Sequence, residues 1–161
     1  MPKKKILVTG AAGFIGNKIC SELIKKNYTV IGCDDFSTGL KKNVIKGIKF
    51  LNIDLSNKKK ISNLPKDIDF IFHLAGQSSG EKSFEDPLND LNRNFITTYN
   101  LIDFAKKNYI KNFFYASSMS VYGDLKNKKY NENLETIPKS CYGVSKLASE
   151  NYLKIFSKKL N

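Results

Sequence analysis

The sequence predicts an α/β fold, a doubly wound parallel sheet with strand order 3-2-1-4-5. Two observations carry that prediction. Apolar runs rich in β-branched and aromatic residues recur along the chain with helical stretches between them, as parallel strands joined by crossover helices require. The first of these runs, Lys4 to Thr9, breaks into Gly10-Ala-Ala-Gly13-Phe-Ile-Gly16 and then turns helical, the strand–loop–helix unit that opens such a sheet.

Strands are expected near 4–9, 28–33, 48–53, 68–73 and 112–117, each bounded by glycine, acidic or small residues. Helices are expected near 14–26, 57–63, 88–108 and 143–158. In the third of these Leu91, Phe95, Tyr99 and Ile102 repeat at helical spacing. Pro87 and Pro138 stand where helix starts or loops belong. With no internal repeat, low-complexity tract or linker, residues 1–161 read as one domain.

Composition narrows the class. A 161-residue chain with 41% hydrophobic residues buries a sizeable core and folds without staples. Cys20, Cys33 and Cys141 are odd in number and share no metal-like spacing, which predicts a reduced, cytoplasmic setting and no metal. The apolar run after Lys3 to Lys5 is too short for a signal peptide or a membrane span. The net charge of +12 comes from lysines scattered in short runs such as Lys58 to Lys60, with Arg93 the single arginine, so it reads as a solvated surface rather than a nucleic-acid face. The positive field still favours an anionic nucleotide substrate.

The glycine loop predicts where such an anion binds. Gly10 permits a tight turn, Gly13 lets backbone approach a pyrophosphate, and Gly16 allows the following helix to pack close to the sheet, so the phosphates meet the amides of a helix N-terminus. The second strand ends in Cys33-Asp34-Asp35, some 20 residues on, where a carboxylate accepts hydrogen bonds from the adenine ribose hydroxyls. Asp34 therefore selects NAD over NADP: it repels a 2′-phosphate, and no arginine is expected nearby to receive one. Asp34 or Asp35 capping the following turn is the plainer alternative. Asp54 ends the third strand, on the ligand side of the sheet or as a helix N-cap. The fourth strand ends in His73-Leu74-Ala75-Gly76, whose small residues let backbone pass beneath a cofactor, and His73 reads as structural.

A second constellation lies further on. Tyr142 and Lys146 are four apart on a helix and share a face, so the ammonium can favour the phenolate and let Tyr142 take a proton from a sugar hydroxyl. Ser118, at the end of the fifth strand, can hydrogen-bond the same oxygen. An amphipathic core-edge tyrosine beside a surface lysine is the default reading of an isolated pair of this kind.

Together GAAGFIG, the DDFSTG segment at 34–39, HLAG at 73–76, YASSMSVYGD at 115–124 and YGVSK at 142–146 resemble the extended short-chain dehydrogenase/reductase family. Within it, they are similar to the NAD-dependent nucleotide-sugar epimerases and dehydratases of the UDP-glucose 4-epimerase kind. The resemblance covers essentially the whole chain. It implies a Rossmann fold with NAD as cofactor and a triad of Ser118, Tyr142 and Lys146, with Tyr142 and Lys146 also at the cofactor. It further implies that Gly10, Gly13, Phe14, Ile15 and Gly16 cradle the pyrophosphate and that Asp34 binds the adenine ribose. Asp54 and Leu55 would flank adenine, Leu74, Ala75 and Gly76 would run beneath the cofactor, and Asn94 would stand at the active-site end of its helix. The implied substrate is a UDP-sugar or other nucleotide-sugar, and the implied assembly a homodimer through the helices near 88–108 and 143–158. Members that eliminate water carry Asp-Glu after the serine, whereas this chain has Met119-Ser120, so the resemblance points to 4-epimerisation. Family members are about twice this length, so the expectation is the cofactor half, without the domain that grips the nucleotide-sugar; the alternatives are another reaction of the family or an NAD-binding remnant.

Overall fold

The structure is a computed structural model and describes residues 3–124 and 129–158. Five strands, β1 (Lys5–Thr9), β2 (Thr29–Asp34), β3 (Lys49–Asn52), β4 (Phe70–His73) and β5 (Asn112–Tyr115), form one parallel sheet in the order β3-β2-β1-β4-β5. The order is the expected one. Alternation along β1 explains why both faces are covered: Ile6 and Val8 point to one side and Leu7 to the other, and all three are buried.

On the first side Ile6, Val8 and Val30 pack against Cys20, Leu23 and Ile24 of α1 (Phe14–Lys25). On the other side Leu7, Ile31 and Ile71 meet Leu101 and Phe104 of α5 (Thr97–Lys107). Leu7 is fully enclosed, so truncation to alanine there costs about 2–5 kcal/mol. The short α2 (Lys58–Ile61) lies against α5, and α6 (Cys141–Ser157) packs beside α4 (Pro87–Leu91) and α5.

Two differences from expectation bear on the site. An unpredicted helix, α3 (Gly80–Glu85), follows β4. Ser79 caps it by accepting the Lys82 amide at 3.2 Å, but it buries only Ser83 and leaves Phe84 exposed, so no apolar stripe announces it. The helix expected over 88–108 exists but is not uniform: α4 runs into a π-helical turn, Asn92–Ile96, before α5. The Thr97 hydroxyl donates to the Asn92 carbonyl at 3.0 Å across that wide turn.

The buried thiols are inert. Burial pushes Cys20 up to about 11 and Cys33 higher still, and the cysteines are free. Among the described residues no helix is long and apolar enough to cross a membrane.

Candidate active site

A cleft of about 360 Å³ opens at the C-terminal edge of β1 to β4, where open parallel sheets bind ligands. Gly10, Gly13, Phe14, Ile15 and Gly16 line it, followed by Asp34, by Asp54 and Leu55, and by Leu74, Ala75 and Gly76. Eleven of the expected cofactor residues, from four separate strand ends, thus face one space.

The glycine loop is as tight as its composition demands. Gly10 has φ +67°, and a Cβ on Gly16 would lie 2.0 Å from the Gly10 carbonyl oxygen, so α1 can start only where it does if residue 16 lacks a side chain. Phe14 and Ile15, the first residues of α1, stand largely exposed at the mouth.

Asp34 caps the turn after β2 and also faces the cleft. Its Oδ2 accepts the Ala12 amide at 3.0 Å and its Oδ1 the Phe36 amide at 2.8 Å, tying the glycine loop to the turn after β2, while the carboxylate still lines the cleft. A carboxylate has about four acceptor sites, so two remain for ribose hydroxyls. Asp54 accepts the Ser56 amide and hydroxyl at 3.0 and 2.7 Å but does not cap α2; Asn57 does, accepting the Lys59 amide at 3.1 Å. The loop that carries Asp54 and Leu55 is held from α5, where Asn100 Nδ2 donates to the Leu55 and Ser56 carbonyls at 3.0 Å each.

One expectation is overturned. Arg93, distant in sequence, is an immediate neighbour of the β2 loop: its guanidinium pairs with Asp35 and its Nη1 donates to Ser37 Oγ at 3.3 Å, and it lines the same cleft. No arginine is near Asp34 along the chain, yet one stands beside the β2 loop in space, because the helical stretch after β4 folds over the end of β2.

Asn94 is 1% exposed and lies just behind the cleft rather than on its lining. Its Nδ2 donates to Asp90 Oδ1 at 2.9 Å, while its Oδ1 is buried without a hydrogen-bond partner among the described residues. A Cβ on Gly76 would come within 2.5 Å of that oxygen. A buried, unmatched acceptor beside a backbone that only glycine can supply asks for a donor from a ligand. On this observation the residues fit a dinucleotide.

Asp90, which no motif in the sequence singles out, is the hub behind it. It is 1% exposed and accepts Gln77 Nε2 at 2.9 Å, Asn94 Nδ2 at 2.9 Å and Ser145 Oγ at 2.7 Å, joining the β4 loop, the π turn and α6. A buried carboxylate is tolerated here because three of its roughly four acceptor sites are filled by hydrogen-bond donors.

Tyr142 and Lys146 lie on α6, which Ser140 caps by accepting the Gly143 amide at 3.1 Å. Lys146 Nζ donates to the Ala116 carbonyl at 3.0 Å and sits 5.7 Å from the Tyr142 ring centroid and 4.9 Å from that of Tyr115. Ala116 itself lines the cleft, so the ammonium is anchored at its wall. Burial pulls Lys146 down to about 8, with the Asp90 charge resisting. Burial also pushes the Tyr115 phenol up to about 12, so near neutrality it is a protonated wall. Ser118 donates to Ser120 Oγ at 3.1 Å and accepts the Ser120 amide at 3.2 Å, capping the short 3₁₀ turn Met119–Tyr122. Ser118, Tyr142 and Lys146 do not themselves line the cleft. Among the described residues no group of three or more His, Cys, Asp or Glu could hold a metal ion.

The fold and cleft define a dinucleotide-binding protein of the Rossmann kind. The chain belongs to the NAD dependent epimerase/dehydratase family, whose profile matches residues 6–161, and NAD is that family's cofactor. It is 37% identical over 164 residues to YtcB of Bacillus subtilis, described as an uncharacterized UDP-glucose epimerase, covering 94% of this chain and 51% of that protein. It is 32% identical over 161 residues to UDP-glucuronic acid decarboxylase 1 of Danio rerio, covering 97% of this chain and 38% of that protein. Among solved structures, the UDP-glucose 4-epimerase of Thermus thermophilus in complex with NAD superposes with a TM-score of 0.92 at 31% identity, over 97% of this chain and 51% of that one. The chain spans about half the length, or less, of these relatives.

Proposed function

We propose that this chain is the cofactor-binding and catalytic half of a UDP-hexose 4-epimerase that works with tightly held NAD. The observation that carries the reading is Lys146, buried on the face of α6 it shares with Tyr142 and tethered to a carbonyl at the cleft wall. NAD, when bound, supplies the hydride acceptor and later the donor. Asp34 holds the ribose, the glycine loop meets the pyrophosphate, and Asn94 Oδ1 accepts a hydrogen bond from the cofactor. Tyr142 takes the proton of the sugar 4-hydroxyl as hydride leaves C4, and returns it when hydride comes back to the opposite face of the ketone. Lys146, cationic near neutral pH, stands on the same face of α6 and steadies negative charge developing on the sugar oxygen. Ser118, released from Ser120, steadies the sugar oxygen.

Met119 and Ser120 follow Ser118, and neither side chain is an acid–base pair for eliminating water. That favours epimerisation over dehydration, and the net redox change is then zero. Leu88, Leu91 and Tyr99 on the helices after β4, and Tyr152 and Ile155 on α6, are exposed apolar residues that support pairing of two copies through these helices. The decisive measurement joins this half to the sugar-binding half of a relative such as the Thermus thermophilus 4-epimerase, incubates the joined enzyme with UDP-glucose and follows UDP-galactose and NADH. Interconversion without net NADH, reduced at least about a hundredfold in Tyr142→Phe, is the expected result. Turnover that survives that substitution sinks the assignment, and net NADH formation moves the chain to a dehydrogenase.

A further inference from the structure

Arg93 is the chain's single arginine, and its placement is unusual for a lysine-rich surface. It stands in the π turn on one wall of the cleft and pairs with Asp35 in the loop after β2 on the other, so an ion pair joins the two walls. The loop end of that bridge is rigid. Asp35 Oδ1 accepts the Ser37 amide at 2.9 Å, and Arg93 reaches Ser37 Oγ as well. Burial raises the Asp35 carboxyl, yet the Ser37 contacts and then Arg93 hold it below the usual carboxylate range.

Charge sharpens the point. Asp34, Asp35 and Asp54 line the cleft, and Arg93 is the one cationic side chain among its described lining residues. Surface pairs among the described residues, such as Lys18 with Glu22 at 73% and 43% side-chain exposure, are left weak by screening. Arg93 and Asp35 are 31% and 20% exposed, sheltered enough to hold and open enough to part. A guanidinium adds a forked donor that no lysine supplies.

We propose that the Arg93–Asp35 pair is a clasp across the adenosine half of the cleft, making Arg93 a cofactor-retention residue. The clasp rests on the reading of the cleft as an NAD site. A dinucleotide seated on the glycine loop and Asp34 leaves only when the pair opens, and the pair also neutralises a carboxylate that would otherwise repel the phosphates. The consequence is kinetic: entry and release both pass through the opened pair, but a dinucleotide packed between the two walls favours the closed one, so dissociation slows more than association.

The test uses the full 161-residue chain and the fluorescent analogue etheno-NAD, with release followed after a chase of excess NAD. Arg93→Ala should release the analogue about tenfold faster, the worth of one charge-assisted hydrogen bond, with association changed less than about twofold. Arg93→Lys should fall between. Asp35→Asn should match Arg93→Ala, and the double variant should be no faster than either, since the two residues form one device. Release from Arg93→Ala within about twofold of wild type, or additive effects in the double variant, overturns the clasp while the NAD reading stands. A wild-type chain that binds neither etheno-NAD nor NAD overturns both.

Discussion

The Thr9 hydroxyl and His73 Nδ1 stand 2.7 Å apart, fully buried, at register-paired positions on the ends of β1 and β4. The bonds around them have one consistent direction. Thr9 Oγ1 accepts the Leu74 and Ala75 amides at 3.1 and 3.0 Å, so its own hydrogen goes to Nδ1. His73 Nε2 then donates to Thr98 Oγ1 at 2.9 Å, and that hydroxyl donates to the Asn94 carbonyl at 2.6 Å. One chain of hydrogen bonds thereby sets the β4 loop against the glycine loop and the π turn against both.

Replacing Thr9 by the near-isosteric valine should show how much depends on that hydroxyl. Two amides and a ring nitrogen lose their partner in a buried site, for an expected loss of about 2–4 kcal/mol in urea unfolding. Thr9→Ser keeps the oxygen and should lose less than half as much. A valine variant within about 0.5 kcal/mol of wild type would contradict the network.

Acid should find His73. Burial, with the Lys146 charge adding to it, pulls the imidazole from 6.5 down to about 3, so the unfolded chain takes up the proton first. The stability this site contributes is present above about pH 6.5 and is lost as pH falls from there toward 3. His73→Gln should flatten the acid limb of the stability–pH curve by an amount on the order of 3 kcal/mol between about pH 6.5 and 4. Parallel acid limbs in the two proteins would refute the assignment.

Lys146 gives the opposite limb. Its folded value of about 8 lies below the ordinary 10.5, so the folded state loses the proton first and stability gained from this group rises between pH 8 and 10.5. Relative to Lys146→Met, wild type should gain on the order of 3 kcal/mol over that interval, as melting curves at matched ionic strength would reveal. Asp90→Asn removes the charge that resists the shift and should move the onset of the rise to lower pH.

Gly76→Ala tests the approach to Asn94. The added methyl meets an oxygen 2.5 Å away on a side chain already tied to Asp90, for an expected cost of about 1–3 kcal/mol. Pairing it with Asn94→Ala should recover most of the clash, a positive coupling in a double-mutant cycle. Additive losses would mean that the two groups do not press on each other.

What the sequence made legible follows the range of the forces involved. All five strands lie within two residues of expectation, and their order is as expected, because β-branched runs ending in glycine or aspartate are local signals. The glycine loop, Asp34 and the Tyr142–Lys146 spacing were legible for the same reason. Arg93 and Asp35 are 58 positions apart, and Ser145 and Asp90 are 55, so those partnerships appear only after the helices are laid on the sheet. The π turn is hidden differently. No residue type enforces it, and it is held by where Asp90, Asn94 and Arg93 find partners.

That wide turn is an extra residue carried inside a helix. Each residue of an α-helix turns the chain by about 100°, so deleting one within 92–96 would let α4 run smoothly into α5 and rotate Asp90 away from Ser145 by roughly that angle. The repaired helix would be the more regular one. The alignment of the glycine loop and α6 in this protein therefore depends on a count of residues as much as on their identity, and a change of length alone would take the candidate site apart.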